Sequence, residues 1–169
     1  KEGGHFAVHP DLGTEQDVRD LCATAHKHGM DVALDIALNA SADHPWLTEH
    51  PEWFQQRPDG TLKYAENPPK RYQDIYNFNW DTDEWQALWN AWRDVFLHWV
   101  DCGIKVYRVD NPHTKPFAFW EWIIKEVHKV DRDVIFLSEA FTRRAVMREL
   151  AKLGFTQGYT YFTWKNSRH

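Results

Sequence analysis

The chain has 169 residues, a length that fits a single domain of ordinary size. Hydrophobic residues make up 43% of it and charged residues 27%, which is typical of a globular protein and disfavours a disordered or fibrous chain. A net charge of −5, with scattered basic residues, disfavours nucleic acid as a partner. No apolar run approaches the ~18–20 residues that span a bilayer, and the first residues lack a signal-peptide pattern, so we expect a soluble, cytoplasmic protein without a membrane partner.

The two cysteines, Cys22 and Cys102, lie in helix-like runs among apolar neighbours. Such positions favour buried free thiols over a disulfide or a pair of metal ligands. Free thiols agree with a reducing, cytoplasmic compartment.

The first predicted element is a helix over about 14–28. Thr14 opens it with a capping-box-like Thr-x-x-Asp pattern, small and apolar residues recur at helical spacing, and Gly29 ends the run. Residues 31–38 follow as a short apolar run rich in branched side chains, which is typical of a strand buried on both faces.

The same order of helix and strand then recurs. Apolar and aromatic residues at helical spacing predict a helix over 82–101, and Gly103 ends it before a strand over 104–109. Pro116 suits a first helical turn, so we expect a helix over 117–130.

The last predicted elements continue this alternation. A strand is expected over 134–137, a helix over roughly 143–153 as far as Gly154, and the start of another strand at 160–162. Alternating helices and buried strands indicate an α/β fold with a parallel sheet. Three or four such units are too few to close an eight-stranded barrel, so we expect the chain to be a fragment.

Residues 39–80 break the alternation, because this segment is rich in Pro, Asp, Asn and aromatic residues. Connections longer than ~12–15 residues are usually functional. We interpret the segment as a long loop region inserted after one strand and lying over a site on the substrate side of the domain.

Polar residues at the carboxyl ends of the predicted strands are the candidate catalytic residues, since the active residues of parallel α/β folds lie there. Asp110 and Glu139 follow strands that one crossover helix connects, so they are expected on neighbouring strands about 4.8 Å apart. Paired carboxylates at a sugar bond are the chemistry of glycosidases. Arg108, on the same strand face as Asp110, would keep that acid ionised, while apolar neighbours would keep Glu139 protonated.

Three strand-end motifs resemble those of the α-amylase superfamily, glycoside hydrolase family 13: Arg108-Val-Asp110, Ser138-Glu139-Ala140 and Asp35-x-x-x-Asn39. The resemblance implies that the chain, 1–169, is part of a (β/α)8 TIM barrel. It implies Asp110 as nucleophile, Glu139 as acid/base and Arg108 beside the nucleophile. A third carboxylate of the family is expected on a later strand, beyond His169, and we expect the fragment alone to be inactive.

Within that family, residues 65–76, 108–116 and 137–142 are similar to the branch that extends α-1,4-glucan from maltose-1-phosphate. Ala40, where amylases usually have histidine, also suits this transferase branch. The resemblance implies that maltose-1-phosphate and α-1,4-glucan are the partners and that no metal or organic cofactor is needed. It implies these substrate-binding residues: Asn39, Asn67, Lys70, Tyr72 and Asn111.

Several of these residues could instead have a structural or surface role. His113 is as consistent with loop structure as with substrate binding, and Lys70 could be a solvated surface charge. The group His44, His50 and Asp43 matches no zinc spacing and favours a role in fixing the loop. Two open sheet edges also make a homo-oligomer a reasonable expectation.

The ten tryptophans could form a sugar-stacking surface, but helical spacing assigns four of them to the core: Trp85, Trp89, Trp92 and Trp99. Trp46 and Trp53, in the inserted segment, remain open to either interpretation. Three function classes follow for the parent protein. A retaining, phosphosugar-dependent glucan transferase is favoured over an α-glucan hydrolase and over a non-catalytic carbohydrate-binding fragment.

Overall fold

The computed structural model describes residues 3–159, and the elements below are those within that range. The strands are β1 (Ala33–Ile36), β2 (Asn39–Ser41), β3 (Tyr64–Asn67), β4 (Lys70–Asn77), β5 (Val106–Asp110), β6 (Ile135–Glu139) and β7 (Gln157–Tyr159). The helices of four or more residues are α1 (Glu15–Lys27), α2 (Trp46–Glu49), α3 (Trp85–Asp101), α4 (Phe117–Val130) and α5 (Arg144–Lys152).

The main sheet is parallel, with strand order β1-β5-β6-β7. Helices α3, α4 and α5 connect its successive strands, so the predicted α/β fold is confirmed. The predicted strand that begins at 160–162 lies outside the described residues. Within residues 3–159, no helix combines the length and the apolar character needed to cross a membrane.

Helix α1 begins where the capping pattern predicts. The Thr14 side chain accepts a hydrogen bond from the backbone N–H of Asp17, and the Asp17 carboxylate accepts one from the backbone N–H of Thr14 at 2.7 Å. The helix ends before Gly29, whose φ of 69° favours glycine.

Replacing Thr14 by alanine is expected to lower the free energy of unfolding by about 1 kcal/mol, because the backbone N–H of Asp17 loses its acceptor and the Asp17 carboxylate loses the hydroxyl donor. Thr14→Ser keeps the hydroxyl and is expected to stay close to the wild type. Urea unfolding of both variants measures the difference. Equal stability of the alanine and serine variants would show that the capping box is not stabilising.

The core lies between the main sheet and the helices that cover one of its faces. Tyr107, Val109 and Phe136 point to this side and are fully buried. They pack among buried side chains of α3 and α4: Leu88, Trp92, Val95, Phe96, Phe119, Trp120, Ile123, Ile124 and Val127. The Tyr107 hydroxyl donates to the backbone carbonyl of Phe96 at 2.6 Å, so this buried polar group is satisfied.

Gly103 shows why glycine follows α3. Its φ is 104°, and a Cβ at this position would come within 2.8 Å of the Cβ of Cys22 on α1. A larger residue would therefore be strained and would push the two segments apart. Cys22 and Cys102 are buried free thiols, as predicted.

Residues 39–80 are more ordered than a loop region. They contain an antiparallel sheet of order β2-β4-β3, which the sequence does not reveal because β4 is polar and exposed over most of its length. Trp46 and Phe78 pack edge-on against Trp92 of α3, with ring centroids 5.6 and 5.4 Å away. This aromatic contact packs the inserted segment against α3.

Two interpretations of single residues change with the structure. Trp85 was expected in the core but is 42% exposed, because it lies on the first turn of α3, where its ring rests on Trp89. Trp46 and Trp53 are buried, so both belong to the packing of the inserted segment. Strand β1 is buried on one face only, and Asp35 lies on the open face.

Candidate active site

The candidate site lies at the carboxyl ends of β1, β5 and β6. Side chains alternate along each strand, so Arg108, Asp110 and Glu139 project from the face opposite the helices. Asp110 is aligned with Glu139 across the β5–β6 pair, and Arg108 is aligned with Asp35 across the β1–β5 pair. Three neighbouring strands therefore bring three acids and one arginine together.

Arg108 bridges all three acids. Its Nη1 lies 3.0 Å from Oδ1 of Asp35 and 3.2 Å from Oδ1 of Asp110, and its Nη2 lies 3.1 Å from Oε1 of Glu139. A guanidinium fork suits this task, because it offers several donors in one plane. The Arg108 carbon Cζ also lies 6.0 Å from the ring centre of Tyr159 on β7.

Glu139 and Asp110 have different surroundings. The side chain of Glu139 is 15% exposed and that of Asp110 is 30% exposed. Burial raises the pKa of Glu139; the Asn111 backbone N–H and Arg108 act against that rise, and Asp110 adds to it. A glutamate whose pKa is raised by burial, beside a more solvated aspartate, is the pairing that an acid/base and a nucleophile require.

Asn111 contacts both carboxylates. Its backbone N–H donates to Oε2 of Glu139 at 3.3 Å, and its side-chain amide donates to Oδ2 of Asp110 at 3.2 Å. The residue has φ 44° and ψ 51°, and it is the only residue other than glycine with a positive φ in the described part of the chain. The sequence indicates the position of Asn111 but not this left-handed turn.

His113 and Lys115 follow in the same turn. Burial lowers the pKa of His113, and the charge of Lys115 lowers it further. Burial also lowers the pKa of Lys115, against the attraction of Asp110. Lys115 is not among the site residues that the strand-end motifs indicate. Its place five residues after Asp110, inside the Asn-Pro-His-Thr-Lys-Pro turn, is the signal that could have identified it.

Asn39 lies in β2 and lines a cavity of about 410 Å³ together with Asp35, His5 and His44. Two imidazoles are paired there, that of buried His44 and that of half-buried His5, with His44 Nε2 2.7 Å from His5 Nδ1. His44 Nδ1 also accepts the backbone N–H of Trp46, so this histidine fixes the loop after β2. Asn39 and Asp35 therefore line the same cavity, and the residues described around that cavity include neither Asp110 nor Glu139.

Asn67, Lys70 and Tyr72 lie together on the β3–β4 hairpin. Asn67 is aligned with Lys70 across the two strands, and both are exposed. Tyr72 is 39% exposed and follows Lys70 on the same face of β4. The strand pairing joins this hairpin to β2 rather than to β5 or β6, so phosphate binding by these residues stays a prediction.

No protein-family model matches the chain. It is 59% identical, over 98% of its length, to α-1,4-glucan:maltose-1-phosphate maltosyltransferase of Myxococcus xanthus, and 57% identical, over 99%, to the enzyme of that name from Pseudomonas aeruginosa. Its fold matches a noncanonical maltogenic α-amylase of Thermotoga neapolitana with a TM-score of 0.79 and 23% identity over 95% of this chain and 35% of that one. The fold is that of the α-amylases.

The fold of the α-amylase superfamily makes the parallel sheet part of a (β/α)8 barrel, with the carboxylates at the end of the strands where such barrels hold their active sites. The chain spans about a quarter of the length of the curated relatives it matches: 25% of the Myxococcus protein and 26% of the Pseudomonas protein. The expected relationship to this superfamily, and within it to the maltosyltransferases, is confirmed.

The two carboxyl groups are placed to act on one sugar. Asp110 is aligned with Glu139 on the neighbouring strand, and both side chains project from the same face of the sheet. Retaining glycosidases keep their two carboxyl groups ~5–5.5 Å apart, whereas inverting enzymes need ~6.5–9.5 Å to admit a water molecule. The shorter separation stays a prediction for this pair.

Proposed function

We propose that the protein containing this chain is a retaining α-glucan maltosyltransferase, which moves a maltosyl group from maltose-1-phosphate to the 4-hydroxyl of an α-1,4-glucan. The observation that supports it is the Arg108-bridged pair of Asp110 and Glu139, in a chain 59% identical to a protein named for this reaction. The substrates are carried over from that name to this chain as part of the proposal.

In the first step, the Asp110 carboxylate attacks the anomeric carbon and the bond from that carbon to the phosphate oxygen breaks. Glu139 gives its proton to the departing phosphate. The product is a maltosyl ester on Asp110 with inverted configuration. Arg108 holds both carboxyl groups in register for this displacement.

In the second step, Glu139, now ionised, takes the proton of the glucan 4-hydroxyl. The hydroxyl oxygen attacks the anomeric carbon, and the ester electron pair returns to Asp110. Two inversions give net retention. The chemistry is carried by the side chains of β5 and β6.

We further propose that Lys70, with Asn67 and Tyr72, binds the donor phosphate. A departing phosphate carries nearly two negative charges, so a lysine in hydrogen-bond reach contributes roughly 1.5–3 kcal/mol. Lys70→Ala is then expected to slow the reaction of maltose-1-phosphate ~10–150-fold. Reaction of α-maltosyl fluoride, whose leaving group is small and singly charged, is expected to slow much less.

Arg71→Ala is the matched control, because Arg71 is the next cation along β4 and its side chain points to the opposite face. Phosphate release and fluoride release by the whole protein measure the two reactions. Equal loss with both donors would indicate collapse of the hairpin. If Lys70→Ala slowed neither reaction, Lys70 would be a solvated surface charge. Release of free sugar from α-glucan in the absence of phosphate would support a hydrolase instead.

A further inference from the structure

We infer that Thr114 is a positioning residue, whose hydroxyl holds Asn111 in its left-handed turn and through it sets both Asp110 and Glu139. This inference rests on the proposed function only in that these two carboxyl groups carry the reaction. Thr114 itself contacts neither of them in the hydrogen bonds described above.

The left-handed conformation of Asn111 is what allows it to face both carboxylates. Its backbone N–H points at Glu139 and its side-chain amide at Asp110. A residue other than glycine at φ 44° is disfavoured by contacts of its own Cβ, although asparagine tolerates the region better than most. Such a conformation persists only where surrounding contacts hold it.

Thr114 supplies those contacts. Its hydroxyl donates to the carbonyl of Asn111 at 2.8 Å, and its backbone N–H donates to the same carbonyl at 3.2 Å. These two bonds close the 3₁₀ turn Pro112–Thr114 over Asn111. The carbonyl direction fixes the peptide orientation, so the hydroxyl restricts the conformation that aims the Asn111 donors.

Lys115 orients the Thr114 hydroxyl. Its ammonium group donates to Oγ1 of Thr114 at 2.9 Å. An oxygen that accepts from an ammonium directs its own proton elsewhere, and here the acceptor is the Asn111 carbonyl. The half-buried Lys115 therefore has a role in the turn that is independent of substrate.

The far side of the turn is anchored in the core. The indole N–H of Trp120 donates to the carbonyl of Pro112 at 2.8 Å, and both residues are buried. With Pro112 fixed to α4 and Thr114 closing on Asn111, a movement of Asn111 requires that the Thr114 bonds break. A single substitution, Thr114→Val, removes the hydroxyl from this set of hydrogen bonds without changing the shape of the side chain.

The test compares Thr114→Val, which is isosteric but lacks the hydroxyl, with Thr114→Ser, which keeps it. Thr24→Val, on the exposed side of α1, is the matched control. In the whole protein, Thr114→Val is expected to lower kcat about tenfold, which corresponds to about 1.4 kcal/mol. KM is expected to stay within about twofold, and Thr114→Ser is expected to restore kcat.

A pH profile separates positioning from a general loss of structure. The Asn111 N–H stabilises the ionised form of Glu139, so losing this bond raises the pKa of Glu139. The side of the kcat/KM profile that falls at high pH is then expected to move to higher pH in Thr114→Val only. An unmoved profile with unchanged kcat would overturn the inference, as would a Thr114→Ser variant as slow as Thr114→Val.

Two maltosyl donors distinguish a failure of the Thr114 inference from a failure of the proposed function. Maltose-1-phosphate tests the phosphate-dependent reaction, and 4-nitrophenyl α-maltoside tests the carboxylate pair whatever its natural donor. Wild type that cleaves only the nitrophenyl donor would contradict the proposed function and leave the Thr114 comparison readable. A crystal structure of Thr114→Val in which Asn111 keeps its positive φ and its hydrogen bond to Glu139 would contradict the positioning role of Thr114, whatever the activity of the variant.

Discussion

Replacing Asp110 by asparagine is expected to lower kcat for maltosyl transfer on the order of 10⁴-fold or more. The amide is nearly isosteric with the carboxylate but is a very poor nucleophile, so the covalent route is lost while donor binding largely remains. KM for maltose-1-phosphate is therefore expected to change far less than kcat. Steady-state phosphate release by the whole protein measures both constants.

Asp94→Asn is the matched control, because Asp94 lies on α3 and pairs with Arg93 at the surface. It is expected to keep full activity. A variant Asp110→Asn that retained more than about a tenth of wild-type kcat would assign the nucleophile elsewhere. Azide adds a second readout through Asp110→Ala, in which it can attack the donor directly and give β-maltosyl azide, the inverted product.

Replacing Glu139 by glutamine is expected to lower kcat for maltose-1-phosphate ~10²–10⁴-fold, the range for loss of a general acid/base. Azide needs no base, so it is expected to discharge the maltosyl ester and to give α-maltosyl azide, the retained product. Opposite azide products from the Asp110 and Glu139 variants would assign the two roles. The same product from both would contradict the assignment.

The pH profile gives an independent test of Glu139. Burial raises its pKa, so the acid stays protonated to higher pH than an ordinary glutamate. As pH rises through that pKa, the proton for the leaving phosphate is lost and kcat/KM falls. Glutamine does not titrate, so this fall is expected to disappear in Glu139→Gln. Glu121→Gln, at an exposed ion pair on α4, is expected to keep it.

The fold was predictable from the sequence where one periodicity dominates. Apolar residues at helical spacing and the Thr14 cap place α1 within one residue of its observed bounds, and the strand ends place Asp110 beside Glu139. The prediction of Trp85 in the core was wrong because spacing alone does not show that the first turn of α3 lies at the surface.

Other features depend on contacts between distant segments. The antiparallel sheet of residues 39–80 is stabilised by Trp46 and Phe78 packing on α3, while its own strands are too polar to reveal it. Arg108 joins acids from three strands, and sequence spacing indicates only the one on its own strand. The left-handed Asn111 follows from its hydrogen bonds with Thr114, which no residue pattern displays.

Capture of the covalent intermediate tests the central claim most directly. In the whole protein carrying Glu139→Gln, the fluoride ion of α-maltosyl fluoride can leave without help from an acid, so the maltosyl ester on Asp110 forms. Transfer to the glucan hydroxyl lacks its base, so this ester is expected to accumulate. Mass spectrometry of the intact protein and of its peptides is expected to show one maltosyl group, attached at Asp110 and removed by azide. A maltosyl group on another residue, or conversion of the fluoride to free maltose of inverted configuration with no adduct, would contradict the account.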